Sequence, residues 1–284
     1  MKKFNLSLLL IIFILQLTGC ASSPKGEEKQ YKKLTGGTVY KAYQQVSITA
    51  MKPIIKEYDK QLAEENKTQM ATVQVHALLG LIWVASLQPD FALAETDYAM
   101  ESVSDPRDRY AILALASVAM HQQGWHFMAK QKSLEAETLV QLHNLRNRYS
   151  NLLLLTHVAG SALALQEGNI SYVASEIQEY GKLSNQSWMV QVGEVTQEVY
   201  SGAHTQAITK LEKLQADPSL SAIERDGVSR ILNAAKSGGK DAPGEVATAA
   251  VYLAVDTAIK SNPLTPTLIE KLPKKYQEKL AKYL

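Results

Sequence analysis

Two segments that lie 34 residues apart in the chain share one pattern, and this pattern decides the fold class. They read GNISYVASEIQEY (residues 168–180) and GAHTQAITKLEKL (residues 202–214). A glycine opens each segment, and small or apolar residues recur at matching positions: Val173 with Ala207, Ile177 with Leu211, and Tyr180 with Leu214. Spacings of three and four residues place such side chains on one face of a helix. Each segment is therefore predicted to be an amphipathic helix that follows a glycine turn.

The start of this helical pattern recurs in other parts of the chain. Gly124 precedes Ala129, Gly244 precedes Ala249, and Asp90 stands at the head of a weaker version. The predicted turns at positions 90, 124, 168, 202 and 244 are spaced by 34, 44, 34 and 42 residues. Repeats of this period indicate helical pairs that bury their apolar faces by stacking on one another.

This pattern resembles the tetratricopeptide repeat, which has a 34-residue period, a turn glycine and a small residue five positions later. The resemblance covers roughly residues 69–261 and is degenerate, because Glu194 and Val195 stand where the motif has Leu-Gly and no unit carries the full signature. It implies an all-α, α-solenoid-like array of helical hairpins, with an irregular α-helical bundle as the alternative. Such an array would offer an extended concave surface to peptides and protein segments.

Helix signals continue through a single domain predicted over residues 39–284, whereas strand signals are nearly absent. Asp105-Pro106 and the pair Ser221/Glu224 are typical helix starts. We expect about eleven helices, because two of the following twelve segments are allowed to form one helix. The segments are 39–65 (broken or kinked at Pro53), 69–87, 91–103, 106–123, 126–148, 151–166, 169–182, 187–200, 203–216, 221–236, 245–260 and 265–283.

The first nineteen residues have the pattern of an export signal. Lys2 and Lys3 precede the apolar run from Leu8 to Leu15. Eight helical residues cover about 12 Å, well short of the ~30 Å hydrocarbon core, so a cleaved signal peptide is favoured over a membrane-spanning helix.

The signal ends in Leu17-Thr18-Gly19-Cys20, which resembles the lipobox of bacterial lipoproteins. The resemblance implies cleavage between Gly19 and Cys20 and lipidation of Cys20, the chain's single cysteine. An ordinary secretory signal with a coincidental cysteine is the alternative. Ala21, in place of an aspartate, favours the outer membrane if the organism has one. We therefore expect a lipid-anchored envelope protein that faces the periplasm.

Residues 20–38 are predicted to be the acylated N-terminus followed by a flexible tether. The stretch from 21 to 38 is polar, rich in Ser, Gly and Lys, and has no apolar period. Eighteen flexible residues would span roughly 20–25 Å. A tether of this kind would let the folded part stand clear of the membrane.

Composition and charge exclude several classes of protein. The chain has 284 residues, of which 46% are hydrophobic and 20% charged, unlike a disordered or collagenous protein. One cysteine excludes intrachain disulfides and cysteine-rich metal sites. Residues 1–19 hold two of the 30 basic side chains and none of the 28 acidic ones, so the mature chain has a net charge of zero. No general argument for nucleic-acid binding remains.

No recognised catalytic, metal-binding or nucleotide-binding motif is present, so we expect no enzyme activity, no metal and no cofactor beyond the lipid on Cys20. The acidic run that includes Glu95, Asp97 and Asp105 is interleaved with arginines and is predicted to be a solvated face. One tryptophan lies in each of three predicted hairpins, either as core packing or as an exposed hot spot for interaction. These candidates are Trp83, Trp125 and Trp188.

Two functions of different class follow from these patterns. The first is a non-enzymatic scaffold or adaptor, whose partners are the membrane and envelope proteins that take part in assembly or secretion. The second is a small-ligand or enzymatic pocket near His121, Trp125 and His126, although capping or ordinary surface histidines also fit this corner.

Overall fold

A computed structural model describes residues 23–64, 71–143 and 153–281 of the chain. These residues form helices and turns and contain no strand. The helices are α1 (Pro24–Gly36), α2 (Thr38–Glu64), α3 (Ala71–Ala85), α4 (Pro89–Ser102), α5 (Pro106–Gln122), α6 (His126–His143), α7 (Leu153–Gln166), α8 (Ile170–Leu183), α9 (Ser187–Tyr200), α10 (His204–Gln215), α11 (Ala222–Ser237), α12 (Ala242–Ser261), α13 (Leu264–Lys271) and α14 (Lys274–Leu280). The predicted all-α class is confirmed.

Helices α3 to α12 form five consecutive hairpins, each made of a first and a second helix in contact. Successive hairpins also pack together, since α4 contacts α5, α5 contacts α7, α8 contacts α9, and α10 contacts α11. The predicted stripe on α9 is buried from Trp188 through Val192 and Val195 to Val199. The chain is therefore an array of helical hairpins, as the repeat pattern predicts.

A residue with positive φ marks the tight turn inside each hairpin. These residues are Leu87 (φ 55°), Gly124 (78°), Gly168 (72°), Gly202 (89°) and Gly238 (62°). The prediction for the last turn was wrong: Gly244 lies inside α12, and Gly238 ends α11 in the left-handed conformation. In the first hairpin Leu87, rather than Asp90, takes this position. The turns are thus 37, 44, 34 and 36 residues apart, more even than the sequence indicated.

Helix α12 makes contacts that an open solenoid does not have. Besides its hairpin partner α11, it packs against α3, α7, α8 and α9. In a solenoid each repeat contacts only its neighbours, so contacts from the fifth hairpin to the first and third mean that the array closes on itself. Closure also involves the chain ends, because α13 contacts α2 and α3. The hairpin array therefore has the closed packing expected of the bundle alternative.

The prediction of a flexible tether was wrong for residues 24–36, which form α1. Ser23 caps this helix through a hydrogen bond from the amide of Gly26, and Pro24 occupies its first turn. Glu27 is buried, while Tyr31 and Leu34 pack against the core at spacings of four and three residues. This inward face is narrow, and the surrounding lysines give the segment the composition of a linker.

Two prolines affect the helices in different ways. Pro53 lies within α2 and does not break it, so the break that the sequence allowed as an alternative to a kink is absent. The segment predicted as one helix over 265–283 is divided, because α13 ends before Leu272 and α14 begins after Pro273. Within the described residues, no helix is long and apolar enough to cross a membrane.

Candidate functional site

The three tryptophans are part of the core. Trp83 is fully buried, and only 6% of Trp125 and 9% of Trp188 is exposed. A hot spot needs an aromatic ring that a partner can cover. None of these three positions offers such a ring, so the core-packing interpretation is correct.

The corner between α5 and α6 brings two histidines together but turns the tryptophan away from them. The Nδ1 atoms of His121 and His126 are 3.3 Å apart. Trp125 instead donates from Nε1 to Oε1 of Gln30 at 2.7 Å and packs edge-on against Tyr31. The structure therefore does not form the predicted pocket from His121, Trp125 and His126.

Burial, and then the nearby His126, lower the pKa of His121. Metal binding by this pair would need at least one more ligand. In the described ranges, no group of three or more His, Cys, Asp or Glu side chains is placed to hold a metal ion.

A cavity of about 300 Å³ lies between α11 and α12. Its apolar wall includes Ile223 and Leu253, and burial raises the pKa of Tyr252 in the same wall. Two ion pairs within single helices border it, Arg230 with Asp226 and Lys260 with Asp256. The lining therefore combines apolar side chains with acidic and basic groups that are paired with each other.

A buried polar network joins the first hairpin to α2. Glu95 is 1% exposed, and its Oε1 accepts hydrogen bonds from the hydroxyls of Tyr43 and Ser47, the latter at 2.6 Å. Its Oε2 lies 2.5 Å from Nδ1 of His76. Trp83 donates from Nε1 to the Tyr43 hydroxyl at 2.5 Å, which extends the network into the aromatic core. A carboxylate predicted to be solvated is thus the centre of the most buried polar cluster in this hairpin.

The third hairpin repeats this His–Glu pair at the same register. Nδ1 of His157 is 2.6 Å from Oε2 of Glu176. In both hairpins the histidine lies eleven residues before the left-handed turn residue and the glutamate eight residues after it. Two histidines, each followed nineteen residues later by a glutamate, are the sequence signal that could have revealed these pairs.

Asp97 forms a second polar link, between α4 and the N-terminal helices. Its Oδ2 accepts hydrogen bonds from the hydroxyls of Tyr31, at 2.6 Å, and Tyr40. Burial raises the pKa of Asp97, although the two tyrosine hydrogen bonds partly oppose it. Burial and the nearby Asp97 also raise the pKa values of Tyr31 and Tyr40. These tyrosines therefore remain neutral donors that hold α1 and α2 against the array.

Neither link is arranged to act on a substrate. His76 is completely buried, and its Nε2 atom lies in the interior, where a substrate would not reach it. Every hydrogen bond to Glu95 comes from a side chain of α2 or α3. Buried hydrogen bonds of this kind favour one arrangement of packed helices, although Nε2 of His76 has no partner in the network. We interpret the pair of links as a structural clasp for α1, α2 and the first hairpin.

Comparison with protein-family models, with curated proteins and with solved structures gave no match.

We expect Glu95→Ala to cost about 3–5 kcal/mol of unfolding free energy, the range for breaking a buried pair by removing one partner. The loss arises because Tyr43, Ser47 and His76 would keep buried polar groups without their acceptor. Urea denaturation followed by circular dichroism measures it. Glu101→Ala, at an exposed site on the same helix, should change stability by no more than about 0.5 kcal/mol. Equal losses in the two variants would contradict the clasp.

Replacing Asp97 and replacing Asp105 should change the free energy of unfolding with opposite pH dependence. The raised pKa of Asp97 means that its contribution is present in acid and is lost as pH rises through the folded-state pKa. As pH rises from acid to neutral, the unfolding free energy of Asp97→Asn should therefore increase relative to that of the native chain. The hydrogen bonds from Arg107 lower the pKa of Asp105, so its contribution is present at neutral pH and lost in acid.

Asp105→Asn should accordingly lose stability at neutral pH, and this loss should vanish in acid. Urea titrations at about pH 2, well below the ordinary pKa of an aspartate, and at neutral pH separate the two cases. The same sign of pH dependence in both variants would contradict the different environments of the two side chains.

Proposed function

We propose that this chain is a lipid-anchored protein of the bacterial cell envelope whose helical body is a non-enzymatic scaffold for protein–protein contacts in envelope assembly or secretion. The observation that carries the proposal is the sequence Leu17-Thr18-Gly19-Cys20, in which the single cysteine stands where an export signal ends. These residues lie outside the part of the chain that the structure describes. Two or more acyl chains on Cys20 would give a stable anchor, whereas one gives marginal binding.

The helical body supports the scaffold role through its architecture. Arrays of helical hairpins commonly present surfaces to protein segments, although fold alone does not fix function. Here α12 covers parts of α3, α7 and α9, which are the first helices of their hairpins. We therefore place partner binding on outward-facing surfaces. Tyr200 and Ile223 are each more than half exposed and are candidates for such contacts.

A small-ligand role is the second candidate, and the cavity between α11 and α12 favours it over the histidine corner. Ligand sites are concave and combine apolar side chains with a few polar groups, and this cavity combines Ile223 and Leu253 with two ion pairs. A ligand bound there would raise the melting temperature of the native chain, and Ala249→Phe, at a partly buried position of the lining, would remove that shift.

The anchor is tested by metabolic labelling with palmitate and fractionation of envelopes. The native chain should incorporate label and sediment with the outer membrane, since Cys20 would carry the acyl chains. Cys20→Ser should be unlabelled and leave the membrane fraction. Ala21→Asp is the matched control: it should stay labelled but move to the inner membrane. A native chain without label would contradict the anchor, and the absence of any reproducible partner after envelope cross-linking would contradict the scaffold role.

A further inference from the structure

Helix α6 carries a second apolar stripe on the side that faces away from the core. Phe127 and Leu134 are each 50% exposed, and Leu142 is 72% exposed. Spacings of seven and eight residues place these three side chains on one face. The opposite face is buried at Ala129 and Ala136. One helix thus holds three of the six large hydrophobic side chains that are exposed in the described residues.

Helix α1 docks at the end of α6 where this stripe begins. Oε2 of the buried Glu27 accepts a hydrogen bond from the amide of Met128 at 2.9 Å. The side chain of Gln30 accepts from Trp125, the residue that directly precedes α6. A carboxylate at the first turn of a helix is favourable for the helix dipole, and this one fixes α1 beside Phe127.

The position of α1 shortens the connection to the proposed anchor. Helix α1 begins directly after Ser23, which follows Cys20 by three residues. A fully extended chain covers at most about 3.6 Å per residue, so this connection reaches no further than roughly 11 Å. An acylated Cys20 would therefore hold the corner formed by α1 and the start of α6 close to the bilayer.

The charge of α1 favours the same orientation. Four lysines are exposed on this helix, and Glu28 is its one exposed acid, paired with Lys32 at 2.7 Å. The other three lysines are Lys25, Lys29 and Lys33. Clustered lysines are attracted to anionic lipid headgroups, and this attraction falls off within a Debye length.

We propose that the exposed stripe of α6 and the lysines of α1 rest on the anionic bilayer in which Cys20 is anchored. Apolar side chains on one face of a surface helix enter the boundary between headgroups and acyl chains, as Phe127 and Leu134 would do here. The body is then held flat on the membrane and does not stand off from it. This inference rests on the lipid anchor of the proposed function.

The test uses the acylated full chain in vesicles of phosphatidylethanolamine and phosphatidylglycerol. Because Cys20 is acylated, an introduced cysteine is the single free thiol. Gln131→Cys, exposed between Phe127 and Leu134, would carry an environment-sensitive fluorophore. We expect nitroxide-bearing lipids to quench this label. Gln206→Cys is the matched control, an exposed glutamine on the second helix of a later hairpin, and its label should remain unquenched.

Phe127→Ser and Leu134→Ser, introduced together beside the label at position 131, should reduce quenching to the level of the control site. An unquenched label at position 131 in an acylated, vesicle-bound chain would overturn this proposal and leave the anchor standing. Cross-linking of position 131 to a protein in cells, with no lipid contact, would also overturn it. A chain that is not acylated would overturn both the anchor and the membrane contact.

Discussion

Helix α12 is buried over most of its surface, and this constraint shapes the whole molecule. Its buried residues, from Val246 to Ile259, include many alanines and occupy several faces of the helix. Glu245, Asp256 and Lys260 give this helix only a narrow polar face, so it is stable in water only when other helices cover its remaining sides. The surrounding helices come from the first, third, fourth and fifth hairpins. An array that could have stayed open is therefore closed by its own chain.

Closure determines which surfaces remain for function. Three of the inner helices that would bind peptides in an open array, α3, α7 and α9, are here in contact with α12, and the tryptophans on α3 and α9 are core residues. The outer surface keeps the exposed stripe of α6, the lysines of α1 and the cavity beside Ile223. A scaffold built in this way would meet its partners and the membrane through outward-facing helices.

Much of the fold could be predicted because its signals are local. Asp105 caps α5 through the amide of Arg107, and Ser221 with Glu224 forms the predicted capping box at α11. The closed packing could not be predicted, because an alanine-rich helix has the same sequence pattern whether it meets two neighbours or five. Helix α1 was missed for a related reason, since its inward face consists of Glu27, Tyr31 and Leu34 among lysines.

The candidate site was harder to predict because its partners are far apart in sequence. Glu95 and Asp97 lie among charged residues that indicate a solvated face, yet tyrosines fifty to seventy residues earlier bury them. The recurrence of a histidine and a glutamate nineteen residues apart was a usable signal, but its meaning depends on turns at Leu87 and Gly168. The predicted lipobox is the opposite case, because its signal is contained in four adjacent residues.

Small-angle X-ray scattering of the mature chain with Cys20→Ser tests the closed array most directly. Closure by α12 predicts a globular profile with a radius of gyration of about 18 Å, the value for a compact domain of this length. An elongated profile with a radius of gyration far above that value would mean that α12 does not lie across the other hairpins, and would contradict this account of the fold.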